Sequence, residues 1–341
     1  MKTREIDVIA FGEALIDWVS IAPAPSLGAA RAFEMAPGGA PANVAVALAR
    51  LGLRAAFAGG LAPDPFGQLL RDTLLENGVD VSRAIEIDGT QTRMAYVLKT
   101  ELGERRLAAF SVVGVADAAF APRHAAELDL ERAAIFHFGS VTLAAHPSDD
   151  ATLAAVGLAR EAGCLISFDP NIRHPLWSSP DAARRAILPL LSAADVVKVG
   201  DDEAVFLTGV AEPEEAALLL WEQHRPALLA VTLGAHGALL VHRAGVFRHA
   251  GFAVKTCEVT GAGDAFTAGM LRASLAALRA GPDTSARRAL EELKAETLER
   301  ALRDACALGA LATTRTGAMA GLPTALELDA FLLAQSETSS G

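Results

Sequence analysis

The chain has 341 residues, enough to bury a large core as one big domain with an appendage or as two ordinary domains. Its 30 Lys and Arg against 41 Asp and Glu leave a net charge of −11, which argues against a nucleic-acid partner, where a basic stripe is expected. Hydrophobic residues make up 52% of the chain, much of it alanine, yet no uninterrupted apolar run is long enough to span a bilayer, so no membrane partner is expected. Glu13 and Asp17 interrupt the apolar stretch near the N-terminus, which does not fit a signal peptide. Cys164, Cys257 and Cys306 are widely spaced and odd in number, fitting neither a disulfide framework nor a zinc motif. A cytoplasmic protein is expected.

Taken in chain order, short apolar runs at Val8–Phe11, Ala56–Gly59, Ile135–Phe138, Leu165–Phe168, Val196–Val199 and Leu228–Thr232 read as strands buried on both faces of a parallel sheet. Between them Pro41–Leu51, Phe66–Asn77, Asp149–Ala162 and Asp181–Leu191 read as helices; the first has Pro41 in its first turn and Gly52 just past its end. The alternation predicts a three-layer α/β/α domain with a mostly parallel central sheet. Two regions break it. Residues Ala14–Met35 carry turn signals without helical periodicity, and Arg93–Val113 reads as a hairpin, Met94–Lys99 and Arg105–Ser111 around the Glu101–Glu104 turn. Together they suggest a small β-sheet lid. The expected division is therefore a core of 1–13, 37–90 and 117–330, a lid of 14–36 and 91–116, and a tail of 331–341 that frays from Gln335. Thr284–Arg303 is expected to be helical and to lead into the apolar stretch Ala305–Leu311.

Thr260-Gly-Ala-Gly-Asp-Ala-Phe266 precedes an expected helix over Ala265–Arg279. Glycines let the backbone approach a ligand closely, and free amides at a helix N-terminus form an anion hole aided by the helix dipole. Phosphoryl transfer needs alignment, charge neutralisation and a carboxylate that accepts the hydroxyl proton. Gly261, Ala262 and Gly263 could supply the amides and Asp264 the carboxylate. Alone, a Gly-rich turn with Asp264 complementing the dipole explains the segment equally well. It is no Rossmann fingerprint, since Phe266 stands where a third glycine belongs, and the sequence has no Walker A loop. Pro37-Gly-Gly-Ala-Pro-Ala-Asn43 leads into the first helix; its paired glycines permit contact with a small ligand and Asn43 offers donor and acceptor, although a plain turn would look the same.

The two segments together resemble the signatures of the ribokinase (PfkB) family of carbohydrate kinases: GGAPANVAVALARLGLRAAFAGG the first, TGAGDAF the second, in the family's order. Gly12-Glu-Ala-Leu-Ile-Asp17, Asp169-Pro-Asn-Ile-Arg173 followed by Pro175-Leu-Trp177, Phe206-Leu-Thr-Gly209, Thr232-Leu-Gly-Ala-His-Gly237 and Thr313-Thr-Arg-Thr-Gly-Ala318 extend the resemblance from Ile6 to Thr324. PANVAVALARLG and FDPNIRHPLW are most similar to fructokinases.

The resemblance implies ATP-dependent phosphorylation of a sugar primary hydroxyl, with fructose the first substrate to test. Alternatives are 2-keto-3-deoxygluconate, another ketose, ribose or a nucleoside, and a non-catalytic nucleotide-binding relative. Carried over by position, Asp17, Gly38, Gly39 and Asn43 would hold the sugar hydroxyls. Arg173 would meet the substrate, Asn171 the transferred phosphate, and Asp264 would be the base. Lys198, Thr232, Gly234, Gly237 and Gly263 would face the nucleotide. Glu203 matches the glutamate of the family's Asn-x-x-Glu element, which acts on Mg²⁺ through water; Gly200 replaces its asparagine. A K⁺ site is implied beside the motif's first acidic residue, where this chain has the longer Glu258. In the lid, Ser111 and Val112 stand where many fructokinases carry an aromatic residue and an arginine, and Cys306 stands where many relatives use asparagine near the adenine. All eight histidines are expected to be structural or solvated. Pairing of two copies through the lid faces is expected from the family.

Overall fold

A computed structural model describes residues 4–101, 105–280 and 285–338. Among these residues the strands in chain order are β1 (Ile6–Phe11), β2 (Leu15–Pro23), β3 (Phe33–Gly38), β4 (Ala55–Leu61), β5 (Asp80–Glu86), β6 (Arg93–Lys99), β7 (Arg105–Phe110), β8 (Ala133–Phe138), β9 (Leu165–Phe168), β10 (Val196–Gly200), β11 (Leu228–Thr232), β12 (Ala238–His242) and β13 (Gly245–His249). They form a nine-stranded sheet, β13-β12-β11-β10-β9-β8-β1-β4-β5, and a four-stranded sheet, β3-β2-β6-β7. From β11 to β5 every pairing in the large sheet is parallel, while β12 and β13 add antiparallel pairings at one edge.

The apolar runs form strands for the reason their composition suggests. All of β1, β4, β8 and β9 is buried, so both faces need apolar side chains. Along β1 the faces separate: Val8 and Ala10 join one core cluster, Ile9 and Phe11 the other. The first cluster packs under the helices Ala40–Arg50, Ala262–Ala280 and Ala295–Ala312, the second under Ser148–Glu161, Pro180–Ala193 and Pro213–His224. This is the expected three-layer domain.

The lid strands also form where turn signals and alternation place them. β2, β6 and β7 present Leu15, Asp17, Val19, Ala95, Val97, Arg105, Leu107 and Phe110 to one cavity. The alternation Arg105, Leu107 changes phase at a bulge: Val97 pairs with Leu107, but Tyr96 pairs with Ala109, so Phe110 also turns inward. Residues 102–104 of the expected turn lie outside the described residues.

Three expectations change. The motif helix starts at Ala262 rather than Ala265, because nothing in Ala262-Gly263-Asp264 prevents helical backbone once Gly261 has made the turn. Thr284 lies outside the described residues, and the stretch after it is two helices, Ala286–Glu291 and Ala295–Ala312, parted at Glu292–Lys294. The expected frayed tail is helix as far as Thr338, with Phe331 and Leu332 packed on the core and Phe331 edge-on to Phe252. Strands β5, β12 and β13 are further elements that the apolar runs left unmarked.

Candidate active site

The carboxyl edge of the parallel sheet gathers the polar residues, as open α/β sheets generally do. Gly12 and Glu13 follow β1, Asp169 follows β9, and Asp202 lies just past β10. Across from them the Ala262–Ala280 helix begins inside the glycine motif. Gly261 has φ +85°, and a Cβ there would come within 2.8 Å of Ala318 O; a Cβ on Gly263 would lie 3.2 Å from Lys198 Nζ. The motif is thus pressed between a loop and an ammonium group, with room for backbone alone at Gly261.

Asp264, in the first turn, is buried and accepts a 2.7 Å hydrogen bond from Asn43 Nδ2. That bond joins the two segments singled out in the sequence, 221 residues apart. Burial pushes the Asp264 carboxyl up to about 6 and Asp169 adds to the rise, against the Asn43 bond and the charges of Lys198 and Arg173. The opposite wall includes Gly39, which Gly38 precedes. Gly39 has φ +104°, and a Cβ there would meet Glu13 O at 2.5 Å; a Cβ on Gly38 would strike the Asp17 carboxylate. Asp17 is pushed up to about 6 by burial, opposed by Arg173 and Arg105. Glu13 is pushed up to about 7, chiefly by burial; its Oε1 accepts the Ala40 N–H at 3.0 Å and its Oε2 has no partner among the described residues.

Lys198 is buried beneath the motif, 3.3 Å from Asp169 Oδ2, which also accepts from Thr267 Oγ1 at 3.1 Å. Burial disfavours its ammonium, but Asp169, Glu203 and Asp264 outweigh burial and hold its pKa above the ordinary value. Glu203 accepts the Ile172 N–H at 2.5 Å through Oε1 and the Gly200 N–H at 2.8 Å through Oε2. It therefore braces the Asn171–Arg173 turn, where Asn171 holds φ +46° and its carbonyl accepts from Arg173 Nη1 at 3.2 Å.

Of these groups Glu13, Asp17, Gly39, Asn43, Asn171, Arg173, Lys198 and Asp264 line a cavity of about 630 Å³, together with Arg105, His174 and Asp202. A second cavity of about 450 Å³ adjoins it, lined by Thr232, Gly234, Gly237, Phe252, Ala262, Phe266, Cys306 and Gly309 among others. Gly263 and Val259 line both. Gly237 has φ +83° in that wall, and a Cβ there would strike His249 O. A polar cavity and an apolar one therefore meet at the glycine motif, where the first-turn amides and a buried carboxylate converge.

Comparison with known proteins gives the family. Residues 5–325 match the pfkB family carbohydrate kinase. The chain belongs to the PfkB family of carbohydrate kinases. It is 43% identical over 336 residues to Fructokinase-1 of Oryza sativa subsp. japonica, covering 96% of this chain and 98% of that one. The solved fructokinase of Xylella fastidiosa with bound ATP superposes with a TM-score of 0.85 at 34% identity, covering 97% of this chain and 99% of the other. The fructokinase of Vibrio cholerae O395 in a fructose, ADP and calcium ion bound form superposes with a TM-score of 0.78 at 35% identity, covering 96% and 99%.

Within this PfkB kinase the fold brings together nearly every residue that the motifs picked out. Asp17, Gly39, Asn43, Asn171, Arg173, Lys198, Gly261, Gly263 and Asp264 share the polar cavity, and Thr232, Gly234, Gly237, Ala262 and Gly263 share the apolar one. Gly38 lines neither cavity, and three further expectations shift. Lys198 lines the polar cavity at the junction rather than the apolar cavity, because its side chain runs under Gly263 to Asp169. Glu203 lines neither cavity; the carboxylate facing the polar cavity is that of its neighbour Asp202. His174, read as structural, lines the polar cavity. The lid positions Ser111 and Val112 lack the aromatic and the cation, yet the cavity gains both from Phe110 and Arg105. Glu13 and Asp169 sat inside quoted motifs and could have been found there; Arg105 carried no signal beyond strand alternation. Among the described residues no helix is long and apolar enough to cross a membrane.

Proposed function

We propose that the protein transfers the γ-phosphoryl group of ATP to the 6-hydroxyl of D-fructose, giving D-fructose 6-phosphate. The observation that carries this reading is the junction of the two cavities at Gly263, with the buried Asp264 carboxylate on the sugar side. The polar cavity suits a polyol, because Asp17, Asn43 and Arg173 offer paired donors and acceptors within one small space. The apolar cavity suits a nucleoside: its walls are mostly small residues with Phe252 and Phe266, and its volume lies in the usual range for ligand sites. Relatives at 34–43% identity over nearly the whole chain are fructokinases, with bound ATP in one case and bound fructose and ADP in another.

In this reading Asp17, Gly38, Gly39 and Asn43 hold the sugar, and Arg173 meets the substrate near the transferred phosphate, alongside Asn171. Asp264 takes the hydroxyl proton as oxygen attacks phosphorus in line, with the amides of Gly261, Ala262 and Gly263 facing the developing charge. A buried carboxyl titrating near 6 is well placed for this, being ionised at neutral pH while remaining basic enough to accept a proton. Lys198 supplies positive charge at the junction. Asn43 fixes the Asp264 carboxylate, and lid closure keeps water out. Thr232, Gly234 and Gly237 border the nucleotide. The donor set fits a hydrated Mg²⁺: Asp202 faces the cavity, and Glu203 keeps spare lone pairs behind it. When bound, that ion neutralises charge on the phosphates. A K⁺ site is proposed more narrowly, since Glu258 already faces the Gly317 N–H and the Arg105 guanidinium.

A cytoplasmic homodimer completes the reading, paired through the lid, where Ile21 and Met35 are exposed and the sheet ends in the edge strands β3 and β7. The deciding experiment is ADP release with Mg-ATP across fructose, ribose, glucose, tagatose, 2-keto-3-deoxygluconate and adenosine. Preference for fructose by about tenfold or more, ~1.4 kcal/mol of differential transition-state binding, is expected. Preference for another sugar overturns the fructose assignment.

A further inference from the structure

Arg105 and Glu258 carry an inference beyond this assignment. Arg105 stands on lid strand β7 and lines the sugar cavity beside Asp17. Its Nη1 lies 2.5 Å from Oε1 of Glu258, which belongs to the core and precedes the glycine motif by two residues. The side chain of Glu258 is 2% exposed, that of Arg105 21%. Glu258 is a fixed post: its N–H and that of Cys257 both donate to Thr313 O, at 3.1 and 2.7 Å, and its Oε2 accepts the Gly317 N–H at 2.8 Å. Its Oε1 makes no hydrogen bond among the described residues, which leaves the Arg105 charge as the partner of that buried oxygen. Thr313, to which the post is tied, lines the nucleotide cavity.

We propose that Arg105 and Glu258 form a latch that ties the closed lid to the wall of the nucleotide cavity, so that sugar enclosure and alignment of the glycine motif occur together. Arg105 is a positioning residue in this proposal: it acts through Glu258. A buried carboxylate oxygen without another partner favours the closed arrangement, because opening the lid leaves that charge unpaired. Ser111 and Val112 leave the lid without a cation at their positions, and Arg105 restores one from the adjoining strand.

The inference rests on the reading that the polar cavity holds the sugar, so the test uses whichever sugar of the panel the wild type phosphorylates best. Failure with fructose then counts against the fructose assignment and leaves the latch testable. Arg105→Ala, Glu258→Gln and the double variant are compared for sugar KM and for the ratio of ADP released to sugar phosphate formed. Each single variant is expected to raise sugar KM about tenfold and to raise the ratio above one, as water enters under a loosened lid. The double variant is expected to be no worse than either single one, since both remove the same contact. Arg105→Lys is expected to recover part of the loss, which separates lost charge from lost folding. A sugar KM that rises in Arg105→Ala but stays put in Glu258→Gln overturns the latch, making Arg105 a sugar ligand only. Additive effects in the double variant overturn it as well.

Discussion

The two cavities that meet at Gly263 are built from opposite chemistry. The proposed sugar side is lined by acids and bases, Glu13, Asp17, Asp202 and Asp264 against Arg105, Arg173 and Lys198, several of them buried. The proposed nucleotide side is lined by glycine, alanine, valine, threonine and phenylalanine, with Cys306 in its wall. Buried charges cost stability unless paired, and removing one leaves its partner exposed to that cost. Apolar contacts are cheap to alter singly and act by their sum. Single changes on the sugar side should therefore be severe, whereas those on the nucleotide side should be mild. The difference also assigns tasks: the side that discriminates hydroxyls needs directional groups, and the side that grips a flat base needs shape.

The largest expected effect is loss of the base. Asp264→Asn should lower kcat by about 10²- to 10⁴-fold with little change in nucleotide binding, read by ADP release and by titration with a nonhydrolysable ATP analogue. An unchanged kcat removes Asp264 from its assigned role. Next comes the backbone of the sugar wall. Gly39→Val forces a branched residue to φ +104° with its Cβ 2.5 Å from Glu13 O, so a stability loss of at least ~1–3 kcal/mol and a raised fructose KM are expected in urea melts and steady-state assays.

The raised acids give the comparison a pH signature. With its carboxyl near 6, Asp264 should make kcat/KM rise with pH up to about 6 and level off above it. Stability should run the other way. The unfolded carboxyl ionises from about 3.8 and the folded one from about 6, so the unfolded chain loses its proton first and stability falls as pH rises across that window. Asp264→Asn should remove part of this slope, seen as a melting temperature that falls less than the wild type's between about pH 4 and pH 6. Asp17, near 6, and Glu13, near 7, leave the remainder of the slope in place and carry it to higher pH. The smallest effect belongs to the apolar cavity: Cys306→Ser should change the KM for ATP by no more than about threefold and leave fructose KM alone, since a near-isosteric change in a partly open wall removes little contact. A change larger on the sugar KM than on the ATP KM would break the division between the cavities.

The amino-acid sequence by itself determined the layered core, because strands buried on both faces must be continuously apolar and the helices between them carry their own boundary residues, Pro41 and Gly52 among them. It also determined the glycine-to-aspartate motif and the Gly38-Gly39-to-Asn43 segment, since close backbone approach leaves glycine no substitute at Gly39 and Gly261. Tertiary structure alone decided how these parts are used. The Asn43–Asp264 bond spans 221 residues, so no local pattern could state it. Arg105 became a cavity residue through the register of β7, the bulge before Ala109 brought Phe110 to the same side, and Arg105 met Glu258 because the lid folds over the core. Glu203 came to brace two backbone amides behind the cavity wall, and Lys198 ended at the junction of the cavities beside Asp169. Such outcomes depend on where a long side chain finds its counter-charge, which is set by packing between distant segments and not by the order of residues along the chain.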